Sequence, residues 1–384
     1  MIADESGQPG KGVRQQRGPT RRAALRASED TPSIVINLEV VRSNLERMSS
    51  YARRAGVALR PHAKTHKSSY FARAQIERGS RGVSVAKVGE AAALRDAGVE
   101  ELFIAYPVVG QKKLNRLEPL VADGGILLGG DSEAVFAGYA QVARRVDRTI
   151  EVMVEVDSGM RRTGVDVSEV VRLAESIERT KGLDFAGIFT HAGQTHDCTD
   201  QLEIERVARQ EAAIMGAARD ALEGAGFAPR IVSAGSTITA PYLSSDDGIT
   251  EIRPGTYIFN DLRTLELFAC RPDDLAAMMV CTVVSRRRDQ LVIDAGNKTL
   301  TLTCTPAHGY GYLWGLPQTR FVRLSEEHGV VDLGPEAIDL EVGDRVAVVP
   351  VHICAWMDLQ REVYGLEADG TVTEIKIEAM RQSR

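Results

Sequence analysis

The stretch GVSVAKVGEAAALRDAGVEELFIAY, residues 82–106, decides the fold. Residues 82–88 form a short apolar run entered through a glycine. Residues 89–98, GEAAALRDAG, have the alanine- and leucine-rich composition of a helix closed by glycine. Residues 101–106 are apolar again. A strand, a helix and a second strand in close succession make a β-α-β unit, and such units build parallel sheets.

Outward from this stretch the alternation continues. Further apolar runs stand at 57–59, 125–128, 150–156, 184–190, 230–233 and 251–258, which makes eight candidate strands. Most precede a segment of helical composition, such as EIERVARQEAAIMGAARDALEGAG at 203–226. This predicts an α/β fold, a (β/α)8 barrel of the TIM type over residues 41–268, with a doubly wound open sheet as the alternative. Upstream, the alternating TPSIVINL (31–38) reads as a strand. Val41, Leu45, Met48 and Ala52 then recur at helical spacing until Gly56.

After Phe268 helix signals thin out. AMMVCTVV (277–284), the polar turn SRRRD and QLVIDAG (290–296) read as a hairpin, DRVAVVPVH (344–352) as a strand, and VYGLEADGTVTEIKI (363–377) as two strands about Asp369-Gly370. Residues 269–384 are therefore expected to form a smaller all-β domain, joined by a strand from residues 31–40. Residues 1–30, rich in Gly, Pro and Gln with a basic run from Lys11 to Arg26, are expected to be a disordered leader.

The 384 residues suit a barrel plus a smaller domain, and a net charge of -6 gives no footing for a nucleic-acid partner. No apolar run approaches the ~20 residues that span a membrane. Arg21-Arg22 has no apolar segment behind it, so no export signal is read, and five widely spaced cysteines suit reduced thiols in the cytoplasm.

In a barrel of this kind, chemistry collects at the C-terminal ends of the strands. There stand RPHAKTHKS (60–68), VDSGMRRTGV (156–165), THAGQTHD (190–197), SAGSTIT (233–239) and EIRPGTYIFND (251–261). Lys64, desolvated at the mouth, would lose basicity and become nucleophilic; an isolated lysine would more often be one more surface lysine. His62 and His66 would share its side if the segment were extended. The small-residue turn at Gly235-Ser236-Thr237 follows the seventh strand, where barrels frequently hold phosphate, although most Gly-Ser turns bind nothing. His352 and Cys354, two apart on an expected strand, would leave one face together and suit a divalent metal; most His-x-Cys pairs are structural.

Taken in order, RPHAKTHKS, GMRRTGV, GIFTHAGQTHD, SAGST and EIRPGTY resemble the fold-type III pyridoxal phosphate enzymes, and more narrowly the D-threonine aldolase and D-serine dehydratase family, from about Thr31 to the C-terminus. The resemblance implies pyridoxal 5'-phosphate as cofactor, with Lys64 as its Schiff-base and catalytic lysine. Arg162 would contact the phenolic oxygen, and His191 would lie beside the ring. Gly235, Ser236 and Thr237 would hold the phosphate, with Arg253 and Tyr257 near the ring nitrogen or phosphate. It implies a metal at His352 and Cys354, zinc before manganese, with His328 as a further catalytic position. PVHICAWMDL (350–359) departs from the family, which usually has a polar stretch after the metal pair; Trp356 would either narrow the pocket or pack in the β domain. The activity implied is cleavage of a small D-3-hydroxy amino acid by a homodimer, as a retro-aldol first and as a dehydration second. An amino-acid racemase and a non-catalytic cofactor carrier are the rivals.

Overall fold

The computed structural model describes residues 21–335 and 338–383. Strand β1 (Ser33–Asn37) leads directly into a helix, Leu38–Arg54, whose first free N–H groups, at Glu39 and Val40, donate to the Asn37 side chain at 3.1 and 3.2 Å. That helix buries Leu38, Val41, Leu45 and Ala52 along one stripe.

The eight strands read from the periodicity are all present: β2 (Ala58–Leu59), β3 (Val83–Val85), β4 (Leu102–Ile104), β5 (Ile126–Gly130), β6 (Ile150–Glu155), β7 (Leu183–Phe189), β8 (Ile231–Ala234) and β9 (Glu251–Ile252). They form one parallel sheet in the order β2-β9-β8-β7-β6-β5-β4-β3. The sheet curls until its two ends meet. The Arg81 N–H donates to the Leu59 carbonyl, and His62 and Ser84 form a parallel bridge. This is the barrel, not the open sheet. β3 and β4 are buried at every position, as strands with helices outside and a packed interior must be. Phe103, Leu127, Met153, Ala186, Phe189 and Ile231 form a separate interior cluster, with the Phe103 and Phe189 rings edge to face at 5.1 Å. Gly187 is required there: a Cβ would lie 1.9 Å from the Ile231 carbonyl oxygen.

The second sheet comprises β1 with β10 (Ala277–Arg286), β11 (Gln290–Ile293), β12 (Arg320–Leu324), β13 (Gly329–Asp332), β14 (Arg345–Val348), β15 (Glu362–Leu366) and β16 (Val372–Lys376). β1 pairs antiparallel with β10 and parallel with β15, so the first strand of the chain is central in the sheet that the last residues complete.

Two expectations are corrected. Residues 21–28 are not a disordered leader. Arg21–Ala24 is a helical turn, and Ala24 and Ala27 are buried against Val35, Met278, Val280, Ala347 and Leu366. Their small apolar side chains cover a sheet face that water would otherwise reach. The remainder of the leader, residues 1–20, lies outside the described residues. Residues 349–352 also leave the strand. β14 ends at Val348, and His352 caps a short helix, Ile353–Met357. Among the described residues no helix is long and apolar enough to cross a membrane.

Candidate active site

A cavity of about 450 Å³ opens where the C-terminal ends of the barrel strands meet the β domain. Lys64, Arg162, His191, Gly235, Ser236, Thr237, Arg253, His352 and Cys354 all line it; Tyr257 and His328 do not.

Lys64 stands in a 3-10 turn, Ala63–Thr65, rather than an extended segment. The Nδ1 of His62 accepts the Lys64 backbone N–H at 3.3 Å and so closes the turn. This separates the two histidines. His62 lines the cavity, whereas His66 is fully buried with Nε2 3.2 Å from Gln75 Oε1. Burial lowers the Lys64 pKa; Cys354 pulls it back, and the positive charge of Arg162 lowers it further. A fraction of free amine near neutrality is what a nucleophilic lysine needs. His191, half-buried beside these cations, is held well below the ordinary imidazole range by desolvation and by their charge, and is neutral.

On the barrel floor, Arg253 donates through one terminal nitrogen to Ser233 Oγ at 2.6 Å and through the other to the Thr190 carbonyl. Its guanidinium lies over the Phe103 and Phe189 rings, and its Nε, although buried, has no partner. An orphan donor of this kind calls for an acceptor that the described residues do not supply.

The small-residue turn is arranged differently from a plain row of open amides. Gly235 adopts φ +81° and gives its N–H to the buried Glu211 carboxyl at 3.0 Å, and the Ser236 N–H goes to Thr239 Oγ1 at 2.9 Å. Thr237 Oγ1 accepts from both Gly255 and Tyr257 N–H at 3.2 Å. Among the described residues nothing accepts the N–H of Thr237 or Thr256, and both residues face the cavity. Thr256 was missed in the sequence because its segment belongs to the neighbouring loop.

His352 and Cys354 come together although they share no strand, because the chain turns into a helix between them. Asp261, fully buried, caps the helix Leu262–Glu266. Its Oδ2 also lies 3.1 Å from His352 Nδ1 and accepts the Ile353 N–H at 3.1 Å. The imidazole also hydrogen-bonds Cys354 in the cavity lining. Cys354 Sγ lies 3.3 Å from Thr65 Oγ1. Burial, the largest influence, works against its thiolate, but the His352 charge and the hydrogen bonds from His352 and Thr65 together outweigh it and the thiol pKa falls. The thiolate in turn raises His352, with Asp261 adding to the effect, to about 11. A thiolate and an imidazole oriented by a carboxylate on its far nitrogen fit a divalent metal. Among the described residues no third His, Cys, Asp or Glu completes a set, so further positions would be open to water or substrate.

Two expected side chains do not line the cavity, and one open alternative is decided. Tyr257 points away from the cavity, with its hydroxyl accepting from Gln75 Nε2 at 3.2 Å; only its backbone meets the small-residue turn. His328 is exposed in the turn between β12 and β13, because the tight hairpin carries it to the rim of the sheet. Trp356 does not narrow the cavity but packs in the β domain, donating to the Leu300 carbonyl at 2.5 Å. Lys67 and His196, inside the strand-end motifs but not singled out there, and Glu90 and Arg263, outside them, also line the cavity.

Residues 36–262 match the alanine racemase N-terminal domain, and residues 276–366 match a serine dehydratase domain. A D-threonine aldolase of an Arthrobacter species is 31% identical, over 91% of this chain and 92% of its own. The D-threo-3-hydroxyaspartate dehydratase of Delftia sp. HT23 is 30% identical, over 89% and 96%. Among solved structures, D-threonine aldolase from Filomicrobium marinum superposes with a TM-score of 0.85 at 28% identity, covering 93% of this chain and 98% of that one. A cysteine-to-alanine variant of D-threo-3-hydroxyaspartate dehydratase in its metal-free form gives 0.85 at 28%, covering 92% and 98%. The chain belongs to the alanine racemase N-terminal domain family, and it carries the serine dehydratase domain behind that barrel.

Proposed function

We propose that this protein is a pyridoxal 5'-phosphate- and metal-dependent lyase acting on D-3-hydroxy amino acids, with retro-aldol cleavage to glycine and an aldehyde as the first reading. One observation carries it: the half-buried, weakened base Lys64 shares a cavity with the His352–Cys354 pair. A racemase would have no use for that pair.

Bound pyridoxal phosphate supplies an electron sink and the metal supplies Lewis acidity. The chain's own groups bind and orient. The Lys64 amine would hold the cofactor covalently and would serve as the base for the α proton. Thr237 and Thr256 N–H groups serve the phosphate. Neutral His191 flanks the ring, Arg253 offers its orphan donor at the floor, and Arg162 stands at the rim. His352, oriented by Asp261, and Cys354 hold the metal, with zinc favoured by the thiolate.

Dehydration to a keto acid and ammonia is the second reading. Cys354 favours it, because a dehydratase relative has been solved metal-free as a cysteine variant. Both readings take the protein as a cytoplasmic homodimer, checked by light scattering and fractionation. The deciding experiment is product analysis with D-threonine and D-serine, with and without EDTA. Glycine plus acetaldehyde means aldolase; 2-oxobutyrate or pyruvate plus ammonia means dehydratase. L-alanine formed from D-alanine with no effect of chelator would overturn both.

A further inference from the structure

The cavity wall beside the metal pair carries an arginine that the cofactor and metal assignments leave unused. Arg263 lies in the helix Leu262–Glu266, whose cap Asp261 orients His352. The backbone N–H groups of Leu262 and Arg263 donate to the carbonyls of Pro350 (2.9 Å) and Val351 (3.3 Å). The helix is thereby laced to the residues leading into His352, and Arg263 is held next to the pair.

Arg263 lines the cavity. One N–H goes to Glu266 Oε2 at 3.0 Å and one to the His196 carbonyl at 2.6 Å. Glu266 divides its charge, since its other oxygen lies 2.9 Å from His308 Nδ1. The rest of the fork has no acceptor among the described residues. The other cations of the cavity are placed elsewhere: Lys67 is paired with Glu90 and Asp358, Arg253 lies on the floor with only its Nε open, and Lys64 and Arg162 are assigned to the cofactor. A planar fork with open donors in a cavity wall matches a carboxylate.

We infer that Arg263 reads an anionic substituent on the substrate β-carbon, so that 3-hydroxy dicarboxylates of D configuration are taken in preference to D-threonine or D-serine. The inference rests on the lyase reading, in which the β-hydroxyl comes to His352 and Cys354. A second group on the same carbon then lies against the neighbouring wall. That wall also contains Ile238 and Leu267, which would take a methyl group, so the charge of Arg263 is what separates the two substrate classes.

The test uses the cofactor- and zinc-loaded enzyme and its R263M and R263Q variants. Turnover of D-threo-3-hydroxyaspartate and D-threonine is compared, and binding of succinate and butyrate is measured by calorimetry. The wild type is expected to favour the dicarboxylate by about tenfold or more in kcat/KM, and both variants to lose that preference. Succinate binding should weaken by about tenfold in both variants while butyrate binding stays the same. Succinate binding unchanged in the variants, or equal turnover of the two substrates by the wild type, overturns the inference. If neither hydroxy amino acid is turned over but succinate binding still depends on Arg263, the arginine assignment stands and the lyase reading falls.

Discussion

At the scale of single residues, two neighbours in one motif have opposite fates. Lys64 meets the cavity and His66 meets the core, because the 3-10 turn rotates them apart. Lys64→Ala is expected to lower kcat by about a thousandfold or more, since covalent attachment and proton transfer are lost together. Borohydride reduction followed by peptide mass analysis should then find no cofactor on residues 61–67. His66 makes a separate prediction about stability. Burial lowers its pKa from 6.5 to about 4 in the folded protein. Between those values the unfolded chain binds the proton and the folded one does not. Stability is therefore fully present above pH 6.5 and is lost as the pH falls towards 4, with roughly 2 kcal/mol gone at pH 5. Denaturant unfolding at pH 7.5 and 5 should show this slope, and His66→Gln should remove its share, whatever the variant does to absolute stability.

At the scale of elements, the short helix Ile353–Met357 is tied to the Lys64 turn at both ends. Cys354 reaches Thr65, and at the far end Asp358 reaches Lys67 Nζ at 2.6 Å. Lys67 also pairs with the buried Glu90 at 3.0 Å, and its carbonyl accepts the Ala379 N–H. Lys67→Met would leave Glu90 buried without its cation, at a cost of about 3 kcal/mol; Asp358 is 36% exposed and adds little. The check is the shift of the urea midpoint, with Lys67→Arg recovering part of it. Asp261 does comparable work for the other ligand. Asp261→Ala frees the His352 ring, and zinc affinity should fall by about ten- to a hundredfold in competition with a chelator. Retention of full affinity would show that the carboxylate does not orient the ligand.

At the scale of the whole molecule, the chain starts in one sheet, builds the barrel and returns to the first sheet. β1 has β10 on one side and β15 on the other, and Ile34 and Ile36 are fully buried there. A chain cut after residue 268 would leave β1 with both edges open and its apolar side chains exposed, which is a template for aggregation. Such a truncation is expected to be insoluble, as measured by yield in the soluble fraction, although the barrel's eight strands are all retained. The cavity would also lose His352, Cys354 and Asp358.

The amino-acid sequence alone determined the eight barrel strands, the β-rich second half and part of the cavity lining, Lys64, His191, Arg253, His352 and Cys354 among it. These are local properties: periodicity and composition act over a few residues, and the strand ends carry the motifs. What only the tertiary structure decided is where side chains point once segments distant in sequence pack together. The Tyr257 ring turns away because Gln75, far off in the chain, offers its hydroxyl a partner. His328 goes to the rim because its hairpin is tight. Cys354 joins His352 through a helix that a two-residue strand period could not foretell, and Lys67, Glu90 and Arg263 enter the cavity by contacts between segments. Such contacts leave no local signature, because the partner that fixes each side chain lies elsewhere in the chain.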